Sequence, residues 1–256
     1  MADREFDSLV PRLSPSVPGC PHVTMVQYIR DSAIRACERT LAWRYEEPTF
    51  QLLPGVHRYA YNKPVNTDVH AVLRAMLNNY QLDPVTLEEA LRRYPKWADL
   101  YSGEDPSVVW SLTPSTGTFN APEYNEALFN DGSPYVLPQE IIADASTPTI
   151  ITQVTPDKYI VLPLPDDAGY TMRMFYALKP KRSATGMDEV AMDDLEEIII
   201  HGALQHLLVL PQVHWSDREL ASYHAKQYSF HVAERRARAN LGNARASMHV
   251  QMRPFA

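Results

Sequence analysis

The sequence predicts an α+β protein with helices towards its two ends and strands between them. Three observations support this. Val26, Ile29, Ala33, Cys37 and Leu41 recur at helical spacing near the N-terminus; β-formers and turn residues dominate the chain after residue 148; and an apolar stripe from Leu195 to Leu208 leads through Pro211 into a second long helix.

Residues 1–21 contain Pro11, Pro15, Pro18 and Pro21 and show almost no periodicity, which predicts an extended arm. A helix then spans about 22–46, with Arg30, Asp31, Arg35, Glu38 and Arg39 on its polar side, and Pro48 closes it. The stretch TFQLLPGVHRYAY (49–61) predicts two short strands about a Pro54-Gly55 turn. DVHAVLRAML (68–77) fits either periodicity, and the turn residues Asn78-Asn79 favour a strand. Thr86 and Glu89 form a capping box for a short helix that Pro95 stops. Residues 100–147 carry little continuous signal, and their path is not predicted. After them, TIITQV, YIVLPLP and YTMRMFYAL predict three antiparallel strands.

The last third is predicted to be helical. Asp188, Glu189, Asp193, Asp194, Glu196 and Glu197 crowd a helix start, where carboxylates meet the positive end of the dipole. Ser216, with Glu219, is expected to cap the following helix, and Gly242 to end it. Pro211 and Trp215 mark the elbow of this hairpin, with Trp215 as its plug. The second helix carries Tyr223, His224, Tyr228 and His231, too polar for a core and too aromatic for a plainly solvated face.

Composition narrows the function. A formal net charge of −7 gives no whole-chain case for nucleic-acid or basic membrane binding. Cys20 and Cys37 form neither a ligand motif nor a disulfide framework, so a reducing compartment is expected. No apolar run is long enough to span a membrane, and MADREFDSLV is charged where a signal peptide is apolar. Neither secretion by the usual route nor membrane integration is expected.

Nine histidines invite a metal or catalytic reading. His201 and His206 lie on different faces of one helix, and His224 and His231 are two turns apart, so neither pair has the i, i+4 spacing of a helical zinc site. No nucleophile elbow, phosphate loop or dinucleotide fingerprint occurs. A non-enzymatic protein without cofactor or metal is expected. Two competing readings are a metal-dependent enzyme using His201, His206, His214 and the acids of 188–197, and a nucleic-acid-binding regulator using the arginine-rich end.

That end is distinctive. From Glu234 onwards, Arg235, Arg236, Arg238, Arg245 and Arg253 face one acid, and Met248, Val250, Met252 and Phe255 add apolar surface. Arginine without lysine suits a desolvated protein interface.

One further feature is a resemblance. Leu195, Glu196, Glu197, Gly202, Ala203, Leu204, Leu207, Leu208, Pro211, Trp215, Ser216, Asp217, Glu219, Leu220, Ala221, Tyr223, Phe230, Ala237, Arg238 and Gly242 follow one another in an order similar to that of the head-to-tail adaptor (connector) proteins of short-tailed bacteriophages. FQLLPG, ALRRYPKW and the strand ending in YALKP extend the resemblance over most of residues 22–242; the proline-rich start and Met-rich tail depart from it.

The resemblance implies an antiparallel helical bundle with a β-rich insertion and extended N- and C-terminal arms. Its parts would be an arm at 1–21, a first bundle helix at 22–47, the insertion at 48–184, a helical hairpin at 185–242 and an arm at 243–256. It also implies a dodecameric ring in the virion, between the portal protein and a downstream tail or nozzle protein, after assembly in the host cytoplasm. Genomic DNA would pass through the channel without sequence-specific binding, and an acidic wall would repel its phosphates. On this reading Arg235, Arg236, Arg238, Arg245, Met252, Arg253 and Phe255 bind the portal. Tyr223, His224, Tyr228 and His231 lie between subunits.

Overall fold

The computed structural model describes residues 3–56, 58–95 and 145–241. The chain divides into two compact units. The first takes its described residues from 3–45, 63–70 and 177–241, and the second from 46–62, 71–95 and 145–176.

In the first unit, β1 (Asp3–Glu5) pairs antiparallel with β10 (Gly186–Asp188), placing Arg4 opposite Met187. A 3-10 turn (Phe6–Leu9) and α1 (Val10–Leu13) follow directly. Phe6, Leu9, Leu13 and Val17 are buried, so residues 3–17 are a folded part of the unit and not the expected extended arm. Their spacing is itself helical, but the prolines mask it. Pro11 fits because the first helical turn has no N–H partner to lose. Arg4 pairs with Asp193 at 2.5 Å and Arg12 with Glu196 at 2.6 Å, engaging the acidic helix start.

Helix α2 (His22–Thr40) buries Met25, Ile29, Ala33, Ala36 and Cys37. It ends earlier than the predicted 46 because Leu41 turns left-handed (φ 52°) and donates its N–H to the Cys37 carbonyl at 3.0 Å. Residues Arg44–Glu46 are thereby released as strand β2. Helix α4 (Glu189–Leu207) begins where the Asp188 carboxylate accepts from the Ala191 N–H, and α5 (Arg218–Leu241) returns antiparallel to it. Helices α2, α4 and α5 pack on one another.

The second unit contains β3 (Phe50–Gln51), β4 (Arg58–Ala60), β6 (Tyr80–Pro84), α3 (Leu87–Arg93), β7 (Ile150–Thr155) and β8 (Lys158–Leu162). It also holds most of β5 (Thr67–Leu77) and the first part of β9 (Thr171–Pro180), the two strands in which unit boundaries fall. The predicted strand at 68–77 is present, and Asn78 (φ 52°) begins the turn that sets Leu77 opposite Tyr80. The Thr86 hydroxyl accepts from the Glu89 N–H as the capping box requires. Ala90 of α3 packs with Ile150, Ile160, Leu162 and Leu164.

Strand pairing departs from the expected hairpins. β3 pairs with β9 and β4 with β8, although both flank Pro54-Gly55. The reason is local: Leu52 and Gly55 donate their N–H groups to Tyr170 and Pro165, so the turn bonds outward to residues 165–170. Likewise β7 and β8 form a hairpin, but β8 and β9 are not neighbours.

The sheet runs β2-β9-β5-β6-β7-β8-β4, with β3 also on β9. This corrects the expected fold class. Among the described residues the protein is a sheet-rich α+β chain with eight strands in one sheet and five α-helices, and not a helical bundle carrying a β-rich insertion. Strand structure extends beyond any insertion, because β2 occupies the predicted end of a helix and β1 lies in the predicted arm.

Candidate interface on the C-terminal hairpin

The hairpin is held at its elbow by polar contacts. Gln212 adopts φ 61°, the Ser216 hydroxyl donates to the Leu208 carbonyl at 3.0 Å, and the Asp217 N–H reaches the same oxygen at 3.0 Å. The Asp217 carboxylate accepts from the Leu220 N–H at 3.0 Å. Asp217 is therefore the cap of α5, one residue beyond the predicted Ser216, whose hydroxyl closes the preceding helix instead. Pro211 is exposed, and Trp215 is only half-buried, so it is not a core plug. His214 stacks edge-on against Trp215 and donates to the Pro18 carbonyl at 2.8 Å. Gly19 (φ 82°) is needed there, because a Cβ would stand 2.7 Å from the His214 ring.

Close packing at the middle of the hairpin depends on Gly202. A Cβ at this position would overlap the Ser32 hydroxyl, which donates to the Ile199 carbonyl at 2.8 Å, and would press on the Tyr228 ring. Tyr228 is buried, and the Arg39 guanidinium lies 5.6 Å from its ring centroid. His224 is also buried and meets His201 with Nδ1 atoms 2.8 Å apart. These two expected interface residues thus serve the interior of their own unit. Tyr228 is buried against Gly202, and His224 against His201.

Two large side chains do face outward. Tyr223 is 52% exposed and Phe230 64% exposed, two turns apart on α5. Tyr223 stands edge-on to His224, and Phe230 edge-on to the half-buried His231. Beyond them, Arg236 and Arg238 are exposed, and Arg238 bonds Glu234 at 2.6 Å. Arg235 is half-buried and pairs with Asp194 across the hairpin, so its charge is met within the chain. Gly242, Arg245, Met252, Arg253 and Phe255 lie outside the described residues.

The histidines proposed together for a metal do not converge. His206 bonds Arg35, His214 sits at the elbow, and His201 faces α5. Among the described residues no group of His, Cys, Asp or Glu is arranged to hold a metal ion, and no helix is long and apolar enough to cross a membrane. A different group does form: His201 contacts His224 and also stacks parallel to His231, with centroids 5.6 Å apart. Burial lowers the pKa of His201 and of His224; for His201 the neighbouring His224 and His231 lower it further while Glu197 opposes them. Spacing tests within each helix miss this cluster. The available signal was hairpin register, since 201 and 224 lie at roughly equal distances on either side of Gln212.

No protein-family model matches the chain, and no curated protein sequence matches it significantly.

Proposed function

We propose that the protein is a structural virion component, a head-to-tail adaptor that assembles as a ring between the portal and the tail proteins around the DNA channel. The observation that carries this reading is the outward face of α5, where Tyr223 and Phe230 stand exposed and Arg236 and Arg238 follow them towards the C-terminal tail. Exposed aromatics of this size are costly in water, and aromatic groups beside arginine are the usual composition of a protein contact. The resemblance of the residue order to that of short-tailed phage adaptors gives the contact its proposed partners: another copy of the chain along α5, and the portal at the tail.

The tail contribution is the separable part. Arg245, Met252, Arg253 and Phe255 follow the helix end predicted at Gly242, so truncation after Gly242 should leave the helical core intact while portal binding is lost. Full-length and truncated proteins are mixed with purified portal protein of the same phage, sedimented at low and high salt, and imaged for rings. Equal portal binding by the truncated protein rejects the role of the tail. Absence of any ring or portal complex with the full chain rejects the adaptor reading.

A further inference from the structure

We propose that His201 and His224, with His231 stacked on His201, form a proton-operated latch between α4 and α5, closed while the His201–His224 pair carries at most one added proton and released when that pair takes up a second. The geometry imposes the limit. With Nδ1 atoms 2.8 Å apart, His201 and His224 bond only if one nitrogen carries hydrogen and the other offers its lone pair. A single imidazolium is compatible with this, because its Nδ1–H donates to the neutral partner. Two imidazolium rings direct two N–H groups at each other, and the bond is replaced by repulsion. His231, stacked parallel to His201, brings a third ring close to the pair.

The surrounding charges do not relieve a second proton. Glu197 lies 3.9 Å from His201 Nε2 and Glu234 lies 3.8 Å from His231 Nδ1, but both carboxylates have other cations. Glu197 is 3.7 Å from Arg12 of α1, and Glu234 holds Arg238. Asp194 is engaged by Arg235. Arg4 of β1 is directed to Asp193 and Glu196, and Asp188 of β10 caps α4. From α2, Arg35 meets His206 and Arg39 lies over Tyr228, so both arginines are engaged elsewhere. Burial lowers the affinity of His201 and of His224 for protons, and for His201 the neighbouring His224 lowers it further, in agreement with the contact geometry.

The sign follows directly. A histidine whose folded pKa lies below its unfolded value contributes stability that is present above the unfolded pKa and is lost as pH falls through the folded one. The latch therefore holds at neutral pH and opens in acid.

Backbone hydrogen exchange of the full-length protein tests this, at about pH 7.5 and about pH 5 with a chelator present and intrinsic rates corrected. Protection of the α5 amides around His224 and His231 should fall about tenfold or more in acid, the change expected when a buried hydrogen bond is lost and its partners are left opposed. In the His224→Gln variant, whose amide keeps a partner for His201 Nδ1 but does not titrate, the change should be less than about threefold. Undiminished α5 protection in the wild type at the lower pH overturns the latch, as does an equal acid loss in the variant. Should the variant not fold, wild-type histidine titration by NMR decides. Coupled titration of His201 and His224 below the ordinary histidine range supports the latch, and independent titration of both within that range overturns it.

Discussion

A Cβ atom at Gly202 of α4 would stand 3.0 Å from Cε2 of Tyr228 on α5, and would also overlap the Ser32 hydroxyl of α2. One missing side chain thus sets how closely three helices approach. Gly202→Ala normally favours a helix by propensity, yet here the added methyl meets the Ser32 hydroxyl, held by the Ile199 carbonyl, and the buried Tyr228 ring. We expect a loss of about 1–3 kcal/mol, the usual result of overpacking. Urea unfolding measures it, and a variant as stable as the wild type would show that the hairpin relaxes without cost.

Glu47 gives the second unit a pH dependence of its own. Its Oε1 accepts the Asn62 N–H at 2.9 Å, whereas Oε2 is buried with no hydrogen-bond partner among the described residues. Burial pushes its pKa up to about 7, with the Asn62 bond pulling the other way. A raised folded pKa means that the contribution is fully present below the unfolded value near 4.5 and is lost as pH rises through about 7. Above that, the ionised carboxylate costs on the order of 3 kcal/mol. Glu47→Gln should therefore be more stable than the wild type at pH 8 and lose this advantage near pH 4.5. The opposite order in chemical denaturation would place Glu47 in a solvated site. The direction is contrary to that of the histidine latch, which allows the two to be told apart.

The elbow separates the roles of two adjacent residues. Asp217→Ala removes the acceptor for the Leu220 N–H and should cost about 1 kcal/mol. Ser216→Ala should cost less, about 0.5 kcal/mol, because the Leu208 carbonyl keeps the Asp217 N–H. Thermal unfolding of the two variants compares them directly. A reversed order would restore Ser216 as the cap.

Local chemistry was legible in the sequence wherever neighbouring residues decide the structure. Thr86 with Glu89, the Asn78-Asn79 turn and the apolar stripe of α4 all act within a few residues of themselves. Pairing between distant segments was not. Nothing local shows that Arg4 will stand opposite Met187, or that β3 and β4 will leave each other for β9 and β8. The N-terminal segment was misread because four prolines weighed more than the buried set Phe6, Leu9, Leu13 and Val17. At the candidate site, the aromatic and arginine content of α5 was visible, but its division between faces required the hairpin. His224 and Tyr228 turn inward on the same helix from which Tyr223 and Phe230 turn outward.

That division yields the last prediction. Tyr223 and Phe230 are more than half exposed, so replacing both with Ser removes little buried surface from the subunit, and the stability of the isolated chain should change by only about 0.5 kcal/mol for each. If this face meets another copy of the chain, the same pair supplies the apolar centre of the contact, and its loss should abolish or greatly weaken assembly. His231→Ala is a poorer test, because His231 stacks on His201 and its removal also disturbs the hairpin. Sedimentation velocity over a range of concentrations, with and without portal protein, follows the assembly, and thermal unfolding follows the fold. Loss of higher assemblies with an unchanged melting temperature is the expected result. A doubly substituted protein that assembles like the wild type would remove this face of α5 from the subunit contact, and a large fall in melting temperature would show that the two rings support the subunit itself.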